Sequence, residues 1–150
     1  MSDLRELYQE VILDHNRKPR NFRALPGANR TAAGHNPLCG DQITLYLDVA
    51  DGVIRDVGFQ GTGCAISRAA ASLMTASIQG RTEAEAEALF AGFHRMLTED
   101  GTETAVPSGL GKLGVFAGVR EFPIRIKCAT LPWHTMHAAL ARTPAAVSTE

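Results

Sequence analysis

The chain has 150 residues, 45% of them hydrophobic and 21% charged, with 15 basic residues against 16 acidic for a formal net charge of -1. A length of this order favours one domain and allows roughly 68–70% of the unfolded surface to be buried, so a core forms without staples. The near-neutral balance, with no basic stripe, speaks against nucleic acid as a partner; no run approaches the roughly 18 apolar residues of a membrane span; and the start Met1-Ser2-Asp3-Leu4-Arg5-Glu6 has no apolar signal-peptide core, which makes the cytoplasm the expected compartment.

In chain order, Leu4, Leu7, Tyr8, Val11 and Ile12 recur at helical spacing and predict a first helix over 3–15, capped by Ser2 or Asp3. Pro19, Pro26 and Gly27 then mark a long irregular connection. A weak strand is predicted around 30–34. Ile43, Leu45, Leu47 and Val49 alternate with polar residues, as do Ile54, Val57 and Phe59, and Asp51-Gly52 between them predicts a β-hairpin. A helix over 64–78 presents Ile66, Ala69, Ala70, Leu73, Met74 and Ile78 and closes at Gly80. Thr82 and Glu85 form a capping box for the next helix, to about Leu97, with Leu89, Phe90, Phe93, Met96 and Leu97 as its apolar stripe. The segment 99–109 reads as a polar loop and the glycine-rich 110–119 as at best a short helix. A last helix is predicted over 131–142, with Pro132 in its first turn, followed by a frayed tail, 143–150. The fold class is α+β: one domain, a small antiparallel sheet packed against helices.

Three cysteines carry the chemistry. Cys39 lies in Asn36-Pro37-Leu38-Cys39-Gly40-Asp41, Cys64 follows Gly61-Thr62-Gly63, and Cys128 lies in Arg125-Ile126-Lys127-Cys128-Ala129-Thr130-Leu131. Each is expected at a junction between elements. Cys64 and Cys128 are expected at helix N-termini, whose unpaired N–H groups favour a thiolate. Gly40 lets the chain bend so that Asp41 faces the same centre as Cys39. An odd number of cysteines argues against a complete disulfide framework. The plain alternative is three unlinked core cysteines, but core cysteines sit in apolar runs and these sit among Gly, Pro and charged residues. Three thiolates and one carboxylate are the four donors of a closed tetrahedral metal site, and Arg125 and Lys127 would offset its surplus negative charge or meet a partner.

These three segments, in this order, together with Asp14-His15-Asn16-Arg17-Lys18-Pro19-Arg20-Asn21, resemble the iron–sulfur cluster assembly proteins of the IscU/NifU N-terminal superfamily over nearly the whole chain. Lys127 stands where the IscU branch has a histidine. That lysine, an added helical stretch within 81–109, and Trp133-His134 after Cys-Ala-Thr-Leu-Pro resemble the SufU branch; Pro132 departs from the alanine common there. The resemblance implies a zinc site of Cys39, Asp41, Cys64 and Cys128. It also implies a SufS-type cysteine desulfurase as partner, and downstream iron–sulfur scaffold proteins as takers of the sulfur. Cys39, in a Pro/Gly loop, is the expected sulfur acceptor, which makes the protein the partner of a desulfurase rather than a stand-alone enzyme. The alternative is a scaffold that assembles a [2Fe–2S] cluster on the same residues, since thiolates bind iron and zinc alike; a binding module with purely structural zinc is the third reading.

The remaining candidates read as structural. His15 is expected to cap a helix or bond at the surface, His35 to lie near the cysteine site, His94 to be solvated, and the pair His134 and His137 to form a wet helix face. Gly61-x-Gly63 lacks the third glycine of a dinucleotide loop.

Overall fold

A computed structural model of the chain describes residues 2–37, 40–98, 113–114, 116, 119, 122–141 and 147–148. Eight elements follow in order: α1 (Ser2–Arg17), β1 (Arg30–Asn36), β2 (Asp41–Ala50), β3 (Val53–Thr62), α2 (Ala65–Ile78), α3 (Glu83–Thr98), α4 (Pro123–Ala141) and β4 (Val147–Ser148). The α+β reading holds: the three strands of the meander are followed by three helices, with α1 before them and β4 after. The expected polar loop 99–109 lies outside the described residues. Of the stretch 110–119, Leu113, Gly114, Phe116 and Val119 are described; they sit in tight 3₁₀ turns and are buried.

The sheet runs β3-β2-β1-β4. β1, β2 and β3 form an antiparallel meander. Asp51 (φ 53°) and Gly52 (φ 75°) join β2 to β3 with both central residues left-handed, the geometry that matches strand twist. One face is buried: Asp41, Ile43, Leu45, Leu47 and Val49 point inward from β2, and Ala32, Gly34 and Asn36 from β1. This period of two decides the site, because it carries Asn36 and Asp41 inward at the same end of the sheet. The tail was expected to fray throughout, yet Val147–Ser148 pair in parallel with Gly34 and His35 along the outer edge of β1.

α2 and α4 cover the buried face, α1 packs on α2, and α3 packs on α4. The capping box forms as the sequence implies: Thr82 N–H donates to Glu85 Oε1 (2.9 Å) and Glu85 N–H to Thr82 Oγ1 (3.1 Å). α4 is the main departure. It begins at Pro123, eight residues before the predicted start, and Pro132 lies in its interior. The proline at 123 is the true first-turn residue. Pro132 has no N–H to give to the Cys128 carbonyl, a loss in a helix interior. Packing overrides it: Ala129, Leu131, Trp133, Met136 and Ala139 are buried, and β1, β2, α2 and α3 surround the helix. The covered part, from Cys128 on, shows no single apolar stripe, and the first turn before it is largely exposed, with Ile124 at 59%, so the start gave no periodic signal.

Candidate metal centre

The centre is assembled from the end of β1, the start of β2, the N-terminus of α2 and the second turn of α4. Asp41 is fully buried, as are Asn36 and Cys128. One carboxylate oxygen and the sulfurs of Cys64 and Cys128 all lie within 4.8 Å of one another. Two donors on one tetrahedral zinc stand roughly 3.5–3.8 Å apart, from bond lengths of about 2.0–2.3 Å, so small side-chain movements suffice to close this group on a cation.

Asp41 is held by one oxygen and left available by the other. Its Oδ1 accepts the backbone N–H of Cys64 (2.9 Å), while Oδ2 lies 3.9 Å from Cys64 Sγ. Gly63 makes this possible, since a Cβ there would stand 2.7 Å from Asp41 Oδ1. Cys64 is the N-cap of α2 with extended backbone, and its sulfur accepts the Ser67 N–H (3.4 Å). That N–H is one of the unpaired donors at the start of the helix, so the sulfur acts as its cap. The expected position of Cys64, at the helix N-terminus, is thus met.

The expectation for Cys128 is corrected. It does not precede the last helix but stands five residues after Pro123, within α4, and its sulfur reaches the Ile124 carbonyl (3.9 Å). The charge at a helix N-terminus fades beyond the first turn, so it does not account for a thiolate here; burial beside the carboxylate and the Asn36 amide sets its surroundings. Lys127 is half-buried and Arg125 exposed on the same helix. Cys39 lies outside the described residues. Its flanks are described: Gly40 takes φ 72° and donates its N–H to the Asn36 carbonyl (2.9 Å), closing the turn that carries Cys39.

The donor set fits a soft divalent cation. A fully buried carboxylate needs a cation or several donors. The partners found for Asp41 among the described residues are a backbone N–H and an amide, both neutral, with two sulfurs at hand. Sulfur and one oxygen suit zinc or iron rather than calcium or magnesium.

Asn36 is the residue that sequence reasoning missed. Its Nδ2 lies 3.5 Å from Asp41 Oδ2 and 3.6 Å from Cys128 Sγ. His35, expected near the site, points to the solvent face of β1 because its neighbour Asn36 points inward. His15 is not a surface residue: it is 5% exposed and its Nδ1 meets Ser72 Oγ (2.7 Å), docking α1 on α2. His134 and His137 face α3 rather than water alone. His134 sits against Phe90 (5.1 Å between ring centroids) and His94 (5.8 Å), and His137 pairs with Glu87 (2.8 Å). Burial, and then the neighbouring His94 and His137, hold the His134 pKa below its ordinary value.

Residues 7–141 match the family described as NifU-like N terminal domain. A protein of Streptococcus pyogenes named iron-sulfur cluster assembly scaffold protein IscU is 38% identical over 143 residues, 95% of this chain and 88% of the relative. A protein of Bacillus subtilis named zinc-dependent sulfurtransferase SufU is 37% identical over 141 residues, 94% of each chain. Among solved structures, a SufU-type chain of Fervidobacterium islandicum superposes with a TM-score of 0.79 at 34% identity, covering 87% of this chain and 94% of the other. The N-terminal part of a NifU-like protein of Brucella abortus reaches 0.82 at 27% identity, covering 90% and 92%. The chain therefore belongs to the NifU-like N-terminal domain family, with relatives among proteins named IscU and SufU.

Proposed function

We propose that this chain is a zinc-bound acceptor of persulfide sulfur that works in the cytoplasm with a SufS-type cysteine desulfurase and hands the sulfur to downstream iron–sulfur scaffold proteins. The observation that carries the reading is the convergence of buried Asp41 and Cys128 with half-buried Cys64 on one point. The relative named as a zinc-dependent sulfurtransferase supports it. Cys39, Asp41, Cys64 and Cys128 would hold the metal, Asp41 through Oδ2 while the Cys64 N–H keeps Oδ1. Zinc bound there would supply a charge that keeps the thiols deprotonated and in place.

The chain's own residues do the rest. Cys39, in its Pro/Gly turn, is the sulfur that leaves the centre. Its thiolate attacks the terminal sulfur of the partner's persulfide, the S–S bond breaks, and the electron pair leaves on the partner's cysteine as thiolate, so the exchange needs no outside oxidant or reductant. Lys127 and Arg125 offset the centre's negative charge and face the partner's side. Phe122 (61% exposed) and Ile124 (59% exposed), at the start of α4, offer apolar surface next to Cys128.

The second reading, a scaffold on which a [2Fe–2S] cluster is assembled, is favoured by relatives named IscU, including one of Thermotoga maritima at 35% identity. Lys127 weighs against it, because a protonated lysine is a poor metal ligand.

Mass spectrometry after incubation with a SufS-type desulfurase and cysteine separates the two. The expected result is one added sulfur on Cys39, faster alanine production, and loss of both in Cys39→Ser. Sulfur only on Cys64 or Cys128 would reassign the acceptor. No added sulfur and no stimulation, with a cluster forming when iron and sulfide are supplied, would establish the scaffold instead.

A further inference from the structure

Asn36 is fully buried at the last position of β1, in register opposite Asp41. Its backbone carbonyl accepts the Gly40 N–H (2.9 Å), which closes the turn bearing Cys39. Its side-chain Nδ2 reaches Asp41 Oδ2 (3.5 Å) and Cys128 Sγ (3.6 Å). The amide orientation follows from chemistry: turned over, its carbonyl oxygen would face a carboxylate oxygen, two acceptors with no proton between them. An amide nitrogen has two N–H groups, and the acceptors within its reach among the described residues belong to the candidate centre. Burial alone would be met by an apolar side chain on the inward face of β1, so burial does not explain an amide at this point.

Resting on the metal reading above, we infer that Asn36 is the positioning residue of the centre, its two amide N–H groups turning the Asp41 carboxylate and the Cys128 sulfur toward one cation. The N–H···S contact does a second thing. It draws charge from the sulfur and makes Cys128 a weaker nucleophile. Cys128 is thereby kept as a fixed ligand of the centre.

Cobalt(II) is the probe, added to the full chain freed of metal, in wild type and in Asn36→Leu and Asn36→Thr, each checked for folding by circular dichroism. Leucine keeps the number and branching of side-chain heavy atoms and removes both donors; threonine suits the strand and falls short of both acceptors. The expected result is cobalt affinity about 10–100-fold weaker in the variants, with the thiolate-to-cobalt charge-transfer band at lower energy and its intensity per metal retained. The same number of sulfurs then binds, each less polarised. A folded variant with wild-type affinity and band position would overturn the inference. A wild-type protein with no thiolate–cobalt band would overturn the metal reading and this inference with it. A third measurement needs no variant: in wild type loaded with an NMR-active cadmium isotope, the Asn36 side-chain amide proton should couple to cadmium through the Cys128 sulfur. Absence of that coupling in a protein whose other cysteine protons couple would overturn the contact.

Discussion

At Gly63 a single hydrogen stands where any other residue would carry a carbon 2.7 Å from Asp41 Oδ1. That oxygen is a carboxylate held by a backbone N–H, so neither partner yields easily. Gly63→Ala is expected to push Asp41 out of its contact with Cys64, to cost the metal-free fold about 1–3 kcal/mol as overpacking does, and to weaken zinc binding, measured by competition with a chromophoric chelator. Unchanged zinc affinity in the folded variant would mean that Asp41 is not held in place from position 63. At this scale the sequence was informative where chemistry and backbone spoke together: Gly61-Thr62-Gly63-Cys64 announced a cap, and Gly40-Asp41 a carboxylate after a bend. It was mute on Asn36. Its inward direction depends on the alternation of β1, and Ala32, Ala33 and Gly34 differ too little in polarity to reveal which face is buried.

Among elements, α3 and α4 show what periodicity can and cannot carry. α3 has a capping box and three turns of apolar stripe, and was legible nearly to its ends. α4 is enclosed by β1, β2, α2 and α3 only from Cys128 on, and its exposed first turn carries no apolar repeat, so its internal proline read as a beginning. Where these helices meet, burial and the rings of His94 and His137 hold the His134 pKa below its ordinary value. Glu87, on the facing helix, pairs with His137 (2.8 Å). The sign follows. The unfolded chain protonates His134 near pH 6.5 and the folded chain only at lower pH, so the unfolded state binds more protons between the two and stability falls as pH drops below about 6.5. Melting of the chelated protein, free of thiol–metal competition, should therefore decline from pH 7 to 5, and His134→Gln should flatten that decline. An equal slope in both proteins would remove His134 as its source.

In the whole molecule, the centre joins positions that neighbour one another only once the sheet and two helices have packed: Asp41 opens β2, Cys64 caps α2 and Cys128 lies inside α4. A cation bound there binds the folded chain and not the unfolded one, and its affinity becomes folding stability. With free zinc a thousandfold above its dissociation constant the gain is about 4 kcal/mol, or roughly 8–16 °C in melting temperature for a chain of this size. Calorimetry of zinc-loaded and chelated protein measures it directly; identical melting temperatures would count against a bound metal. The order of strands before helices, and the resemblance over nearly the whole chain, were visible in the sequence because both depend on local pattern. The convergence of three distant donors depends on tertiary packing, which no local pattern encodes.

The short parallel pairing of Val147–Ser148 with Gly34 and His35 reaches beyond its two residues. β3 has the backbone of residues 21–22 alongside Phe59, where Phe59 N–H donates to the Asn21 carbonyl (2.9 Å). At the opposite side β1 would end the sheet with open N–H and C=O groups, an invitation to another chain's strand. The C-terminal pairing blocks that register next to Asn36, at the end of the sheet where the sulfur chemistry is proposed. Covered there by Val147–Ser148, β1 offers less open backbone to the strand of another chain.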